Sequence, residues 1–252
     1  MPPDVKLPLA FGLLALLLWE GAVRLFGVPA YILPGPVAIA QAFAAAPALL
    51  LTSLLSTLAV TAVALAACCV VAVAMAGLIA TSRWARAAIL PWAIVLQVTP
   101  IVAIAPLIIV WVGDPFVSLV VCATVVAFFP LFSNTLTGLG AVPAELLDLF
   151  RLNGAGRWQT LTLLRLPSAL PYFLAGLRVS GGLALVGAVV AEFVAGSGGF
   201  ASGLAYRILE AGYRLQIPRM FAALVLLSLT GIAINALLGT VERWLLRRQG
   251  AA

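Results

Sequence analysis

Long apolar runs separated by short polar segments dominate this chain of 252 residues. A helix needs about 20 apolar residues to cross a bilayer, and six runs come close to that length or exceed it. They predict spanning helices at about Leu7–Phe26, Thr52–Ala80, Ala87–Val112, Phe116–Leu139, Ala169–Ala195 and Pro218–Leu246. The predicted fold class is therefore an all-α integral membrane protein with about six transmembrane helices, in which residues 1–252 form a single transmembrane domain.

The composition supports a lipid environment. The chain is 64% hydrophobic and 9% charged, whereas a soluble domain has about 25% charged residues. Cys68, Cys69 and Cys122 lie in apolar runs, and without any histidine or a second cysteine pair they are predicted to be packing residues rather than metal ligands. The net charge of +6 is spread among the apolar runs without a groove of aromatic and basic residues, so no nucleic-acid partner is expected.

Basic residues are divided unequally between the two sides of the membrane. With Arg178 left out as intramembrane, one set of loops and termini holds nine: Lys6, Arg83, Arg86, Arg151, Arg157, Arg165, Arg243, Arg247 and Arg248. The other side holds four: Arg24, Arg207, Arg214 and Arg219. The excess of Lys and Arg in cytoplasmic loops of membrane proteins predicts that the first set is cytoplasmic. Both termini, and the polar insert between the fourth and fifth spans, are then cytoplasmic.

That insert, over about residues 143–167, has the signals of a helix that ends at a glycine. Pro143 suits the first turn of a helix, and Glu145 and Asp148 are acids near its start, where the helix dipole favours them. Gly154 can adopt a positive φ and end this helix. A second helix is predicted over Gly156–Leu164.

The proline at the end of the insert is expected to stop that second helix. Pro167 lacks a backbone N–H, and a helix usually closes before such a residue. Two helices meeting at a sharp angle could seat in the cleft of a soluble partner and transmit its motion. The alternative is an ordinary interfacial loop.

Two charges inside the fifth span share one helix face. Arg178 and Glu192 are fourteen positions apart, only 40° short of four full turns, and about 21 Å apart along the axis. Gly181, Gly182 and Ala188 lie on or beside that face. One interpretation is that this face lines a translocation path or a twofold interface. The alternative is that each charge is paired statically with a neighbouring helix.

Polar residues and prolines also interrupt the third and fourth spans. Gln97 and Thr99 lie beside Pro100, with Pro106 further along, and each proline leaves a carbonyl free. The segment either offers polar groups to a passing substrate or only shapes packing, which is the favoured interpretation. Asn134 either acts similarly or caps its helix, and capping is favoured.

Two segments are predicted on the opposite side of the membrane. Pro34, Gly35 and Pro36 form a turn that precedes a short interfacial helix over Val37–Ala46. Ser197, Gly198 and Gly199 are a predicted flexible break before Phe200–Gln216. That last segment either faces a soluble partner or forms an interfacial or re-entrant helix.

No ATP-hydrolysing motif is present in the chain. A Walker A loop needs a lysine after its glycines, and the only lysine, Lys6, follows no such loop. Without histidine, catalytic triads that depend on it are excluded as well. An active transporter built from this chain would take its energy from another polypeptide.

The insert resembles the cytoplasmic coupling loop of ABC-importer permeases, whose pattern is roughly E-A-A-x3-G-x9-I-x-L-P. Gly154, Leu166 and Pro167 fall at the spacing of that family. The departures are Asp148 for the glutamate, Leu149 and Phe150 for the alanines, and Leu164 for the isoleucine. The residues to which the resemblance assigns coupling are Glu145, Asp148, Arg151, Gly154, Arg157, Leu166 and Pro167.

Further motifs extend the resemblance over about residues 33–243. They are Gln97–Pro100, Ala105–Leu107, Trp111–Gly113, Phe128–Pro130, Asn134–Leu136, Gly176–Arg178 and Ala191–Phe193. Together they are similar to the nitrate, sulfonate and taurine branch of the binding-protein-dependent permeases. The candidate path residues are Gln97, Pro100, Asn134, Arg178, Gly181, Gly182 and Glu192.

The resemblance implies the rest of the machinery. It implies a bacterial inner-membrane permease that pairs with a second copy, expected to be identical, within membrane lipid. A cytoplasmic ATPase dimer would hold ATP and Mg²⁺, an extracytoplasmic binding protein would deliver the substrate, and this chain would bind no cofactor or metal and catalyse no reaction. The implied substrate is a small anion such as nitrate, a sulfonate or taurine; the alternative is a pyrimidine vitamin precursor or another small heterocycle. A stand-alone carrier or channel is the rival class, but no inverted repeat is visible.

Overall fold

The computed structural model describes residues 6–196 and 202–248, and this part of the chain is built from helices without a strand. The helices are α1 (Lys6–Leu25), α2 (Pro36–Ala45), α3 (Pro47–Thr81), α4 (Arg83–Val98), α5 (Ile101–Val112), α6 (Pro115–Gly140), α7 (Ala144–Leu152), α8 (Arg157–Thr160), α9 (Leu166–Ala195), α10 (Leu204–Tyr213) and α11 (Ile217–Arg248). A π-helical turn, Leu161–Arg165, joins α8 to α9.

Within residues 6–196 and 202–248, four helical segments are long and apolar enough to cross a membrane. They are α3, α6, the continuous run Arg157–Ala195 and α11. A fifth span results if α4 and α5 are counted together. The first predicted span corresponds to α1, which carries Glu20 and Arg24 near its C-terminal end and stands outside this set.

The predicted third span is broken in two. α4 and α5 are bent by 107° across Thr99 and Pro100, both of which have extended backbone conformations. The physical cause is Pro100, since it has no N–H to donate and its ring excludes the helical conformation from the residue before it. The sequence predicted one span over Ala87–Val112, and the sharp bend divides it into two helices.

The short helix predicted after the turn at Pro34–Pro36 is present as α2. Pro36 occupies its first turn, and Glu20 of α1 accepts a hydrogen bond from the Val37 N–H at 3.1 Å. The same carboxylate accepts from Arg24 Nε at 2.6 Å. A side-chain carboxylate at a helix N-terminus satisfies a free donor and interacts favourably with the helix dipole. Glu20 therefore ties α2 to α1.

The chain divides into two compact units, each with an apolar core. The first comprises residues 1–56 and 196–229, and its core includes Ile39, Leu50 and Leu204. The second comprises residues 57–195 and 230–252, and its core joins small residues of α3, including Cys68, to the stacked rings of Phe128 and Phe132. Cys68, Cys69 and Cys122 are free thiols, and the first is part of this core, in agreement with the predicted packing role.

Glycines bring α6 and α9 of the second unit into close contact. A Cβ at Gly187 would lie 2.8 Å from Ala123 Cα, and one at Gly138 would lie 2.9 Å from Ala169 Cα. Small residues in membrane helices permit this approach, which increases van der Waals contact between backbones. The α6–α9 pair is thus a close-packed element, and most of the candidate path residues lie on these two helices.

Candidate coupling insert and translocation path

The insert begins with α7, an exposed amphipathic helix. Pro143 is its N-cap, Glu145 lies in its first turn, and none of its residues is buried. Asp148 forms an exposed ion pair with Arg151, with 2.9 Å between Oδ1 and Nη1. Glu145 therefore lies where the helix dipole stabilises an acid, whereas Asp148 lies in the second turn and is paired with Arg151 instead.

Gly154 ends α7 in a Schellman motif. Its φ is +71°, as predicted. The Gly154 N–H donates to the carbonyl of Arg151, and the Ala155 N–H donates to the carbonyl of Phe150, both at 3.0 Å. This pair of bonds satisfies carbonyls that the helix end would leave free. The turn therefore has a defined geometry rather than that of an irregular loop.

The prediction that the second helix closes before Pro167 is wrong. From Arg157 the chain stays helical to Ala195, through the π turn. In that turn the Leu166 N–H donates to the carbonyl of Leu161, five residues back. The wider π turn accommodates the missing donor and the bulk of the Pro167 ring without ending the helix.

Arg178 of α9 is paired with α11. Its Nε donates to Asn235 Oδ1 at 2.9 Å, and its Nη1 lies 3.7 Å from Glu242 Oε2. A Cβ at Gly239 would lie 3.4 Å from the guanidinium carbon, so this glycine leaves space for the side chain. The side chain of Arg178 remains half-exposed.

Glu192, at the other end of the same face, is buried against α3. It is 3% exposed, and its Oε1 accepts a hydrogen bond from Thr57 Oγ1 at 2.8 Å. Thr57 is fully buried, and its carbonyl accepts from Thr61 Oγ1. Thr57 was missed in the sequence, although hydroxyl residues at 53, 57 and 61 recur at every fourth position of an apolar helix.

The two glycines between these charges differ in their surroundings. A Cβ at Gly181 would collide with Leu238 of α11, whereas one at Gly182 would meet nothing within 4 Å. Gly181 thus leaves space for the Leu238 side chain between α9 and α11, whereas Gly182 has no such packing role among the described residues.

The break between α4 and α5 lines a cavity of about 340 Å³. Gln97 and Thr99 contribute an amide and a hydroxyl, and Phe129 contributes an aromatic ring. The full lining is Leu96, Gln97, Thr99, Ile101, Val125, Val126, Phe129, Pro130 and Leu183, none of which is charged. A volume of about 300 Å³ or more is typical of sites for small molecules.

The favoured capping role of Asn134 is wrong. The residue lies within α6, which continues to Gly140. Its Nδ2 donates to the carbonyl of Pro130 at 2.8 Å, and a Cβ at Gly176 would lie 2.9 Å from its Cβ. An amide that bonds to the preceding turn needs no helix end, which is why proximity to the end of the span was misleading.

The segment after α9 contains a polar helix, α10, while Ser197–Gly199 and the first residues of the predicted Phe200–Gln216 segment lie outside the described residues. Glu210 accepts from Arg207 Nη1 at 2.7 Å and lies 3.0 Å from Arg214 Nη2. The hydrogen bond from Arg207 is the main cause that lowers the pKa of Glu210, and the positive charges of Arg207 and Arg214 add to it. Arg207 Nε also donates to Ser53 Oγ. These bonds tie α10 to the start of α3.

Comparison with known proteins matches residues 69–250 to the family described as the binding-protein-dependent transport system inner membrane component. The riboflavin transport system permease protein RibX of Chloroflexus aurantiacus is 36% identical over 247 residues, 97% of this chain and 90% of the relative. The chain belongs to this permease family. A formylaminopyrimidine transport permease protein of Halalkalibacterium halodurans is 32% identical, with 95% of this chain and 94% of the relative covered. A permease protein of Bacillus subtilis named for aliphatic sulfonates is 34% identical over 60% of this chain and 54% of the relative.

Membership of this permease family gives the class of the protein. The chain is an integral membrane permease subunit of an ABC transporter. Such permeases work in general with an ATPase and a substrate-binding protein, and relatives of this kind are not themselves catalytic. Within the described residues, no cluster of acidic or cysteine side chains could hold a metal ion.

Proposed function

We propose that this permease is one of two identical subunits of an ATP-driven importer in a bacterial inner membrane. In this proposal residues 1–252 form one functional unit, a partner ATPase binds ATP and Mg²⁺, and this chain binds no cofactor of its own. A binding protein delivers the substrate from the opposite side. The main support is the exposed insert, whose α7 and ordered Gly154 turn present a rigid surface between two spans.

The ATPase contacts the end of α7 in this proposal. Leu152 is 86% exposed and Leu149 is 52% exposed, although both are large apolar residues on an amphipathic helix that also carries charged residues. Exposed apolar side chains surrounded by charges such as Arg151 and Asp148 are typical of protein-binding surfaces. Because the following helix runs continuously into α9, displacement of the turn would move the start of that membrane helix directly.

The coupling proposal is tested with Gly154→Ala and a matched control. Alanine at φ +71° is strained by about 1–2 kcal/mol, so the Schellman turn is expected to distort. Gly156→Ala changes a residue with an ordinary φ of −70° and enough space for a Cβ. We expect co-purified ATPase to fall for Gly154→Ala and to be retained for Gly156→Ala. Equal recovery of the ATPase with both variants would contradict a coupling role of this turn.

The translocation path, in this proposal, follows the face from Arg178 to Glu192 together with Gln97, Pro100, Asn134, Gly181 and Gly182. The pairs Arg178–Asn235 and Glu192–Thr57 would belong to one state of the transporter and exchange partners in another. Glu192→Gln preserves the shape of the side chain and removes its charge. We expect slower transport by correctly folded protein, whereas unchanged transport would remove Glu192 from the mechanism.

A small, uncharged heterocycle is the substrate that these observations favour. The cavity beside Gln97, Thr99 and Phe129 offers hydrogen bonds and a ring to stack on, with no cation to bind an anion. The relatives that align over nearly the whole chain are named for riboflavin and formylaminopyrimidine. A sulfonate remains the second candidate, supported by the shorter match and by Arg178 as an intramembrane cation.

Uptake into proteoliposomes that contain the complete transporter and its binding protein distinguishes these substrates. We expect accumulation of labelled formylaminopyrimidine or riboflavin, and none of taurine. Phe129→Ala should slow this uptake while the ATPase remains bound, because the stacking surface is lost. Uptake of taurine alone, abolished by Arg178→Gln, would favour the sulfonate instead.

A further inference from the structure

A second cavity, of about 360 Å³, lies between the insert and the end of α3. Three arginines line it: Arg151, Arg157 and Arg165. The remaining lining consists of Ala80, Thr81, Leu147, Ala155, Thr160 and Leu161, so no carboxylate contributes to its wall. Such a concentration of positive charge in a concave site is suited to an anion with several oxygen acceptors.

The three arginines differ in how they are held. Arg165, which is partly buried, donates from Nη1 to the carbonyl of Ala80 at 3.2 Å, which fixes its guanidinium in the cavity wall. Arg151 is neutralised in part by Asp148. Arg157 is exposed and, among the described residues, has no carboxylate within ion-pair distance. The site therefore has both a positioned donor and an uncompensated charge.

The position of this cavity selects the source of the anion. It lies where α3 ends at Thr81 and where the helical run Arg157–Ala195 begins, so two spanning segments end there. Trp84 and Trp158, beside these ends, are 75% and 72% exposed. Exposed tryptophans at the ends of membrane helices mark the level of the lipid headgroups. Basic pockets at this level are suited to acidic headgroups.

We propose that this arginine cavity binds the phosphate headgroup of an anionic phospholipid. The guanidinium groups of Arg157 and Arg165 would donate to the phosphate oxygens. The bound lipid would then support the insert from the membrane side, opposite the surface formed by Leu149 and Leu152. This inference needs the chain to be embedded in a bilayer, but it does not depend on the identity of the substrate or on the coupling proposal.

The test measures how strongly the full chain binds phosphatidylglycerol and phosphatidylcholine, both in nanodiscs and in detergent. Arg157→Gln and Arg165→Gln are each expected to weaken binding of phosphatidylglycerol by about fivefold, the contribution of one basic residue near an anionic surface. Arg86→Gln is the matched control, since it removes the same charge from an exposed position outside the cavity. Binding of phosphatidylcholine should be the same for wild type and for all of these variants. Arg165→Gln could destabilise the fold, which a lower thermal midpoint would reveal. Arg157→Gln would then still test the proposal, because the side chain of Arg157 is exposed.

Three outcomes would overturn the proposal. Phosphatidylglycerol binding that is equal in wild type and both cavity variants would exclude these arginines. Full competition by inorganic phosphate at the same concentration as the lipid would indicate a site for a free anion. Loss of the ATPase from Arg157→Gln in nanodiscs of phosphatidylcholine alone would show that this arginine contacts the ATPase. The Gly154→Ala result tests coupling separately, so the failure of one proposal is distinguishable from that of the other.

Discussion

At the scale of single residues, this chain holds its few buried polar groups by specific bonds between helices. Burial of an ionised carboxylate costs several kcal/mol unless donors satisfy it. Glu192 meets this requirement in part through Thr57, and Ser180 in the same unit donates to the carbonyl of Ala127 at 2.7 Å. These bonds specify which helix faces meet, which apolar packing in lipid does only weakly.

Thr57→Val should reveal how strongly Glu192 depends on its hydroxyl donor. The substitution preserves side-chain volume but removes the hydrogen bond to a buried carboxylate, so we expect a loss of stability of about 1–3 kcal/mol. Thr61→Val is the control, because this similarly buried hydroxyl donates to the carbonyl of residue 57 rather than to a carboxylate. Reversible unfolding in mixed micelles measures both. Equal losses for the two variants would contradict a special role of the Thr57–Glu192 bond.

Gly187→Ala should disturb the packing of α6 against α9. The added Cβ would meet the backbone of Ala123 at 2.8 Å, and backbone cannot rotate away as a side chain can. We expect destabilisation of about 1–3 kcal/mol from overpacking. Gly182→Ala lies five residues earlier on the same helix and meets open space, so it should be neutral in the thermal unfolding of the detergent-solubilised chain. A neutral Gly187→Ala would show that the two helices can separate without cost.

At the scale of elements, helix ends and breaks carry the features that distinguish this chain from a simple bundle. Pro100 separates α4 from α5, Gly154 ends α7, and a π turn carries the chain past Pro167. The backbone groups freed at such places need other partners. Each break consequently coincides with a proposed site, namely a cavity or the turn for which a partner contact is proposed.

Helix α10 provides a prediction on pH. Because arginines lower the pKa of Glu210 in the folded state, its carboxylate contributes stability at pH values above its ordinary pKa of 4.5, and this contribution is lost as the pH falls through the lowered value. We expect the thermal midpoint of wild type to fall more steeply with acidification than that of Glu210→Gln. Arg207→Gln, which removes the main partner, should flatten the profile in the same way. Parallel profiles for all three proteins would refute this assignment.

At the scale of the whole molecule, the distribution of charge determines the expected orientation. Nine basic residues on one side against four on the other predict cytoplasmic termini, and the proposed contact of the insert with a cytoplasmic ATPase would require the same orientation. The abundance of exposed leucine, valine and tryptophan on the described helices is explained by contact with lipid.

This orientation is tested by labelling from one side of the membrane. With Cys68, Cys69 and Cys122 replaced, a single cysteine at Gln159 should react with an impermeant maleimide only in inside-out vesicles. A single cysteine at Tyr31 should react only in right-side-out vesicles, since it lies between α1 and α2. The opposite pattern would invert the topology and place the insert out of reach of a cytoplasmic ATPase.

The sequence by itself determined the features that depend on local chemistry. Apolar runs near span length predicted where most of the spanning helices lie, and Gly154 was identified because few other residues adopt a positive φ at low cost. The side on which the insert lies is also a prediction from sequence, because it rests on the number of basic residues rather than on contacts.

Tertiary structure alone decided which distant residues meet. Thr57 looks like any hydroxyl in an apolar helix, and only the packing of α3 against α9 gives it a buried carboxylate to bind. At Pro100 the helix breaks with a bend of 107°. At Pro167 the helix continues, because a π turn accommodates the proline. Side-chain periodicity along one helix contains no information about the neighbour that faces it, and such long-range contacts decide these outcomes.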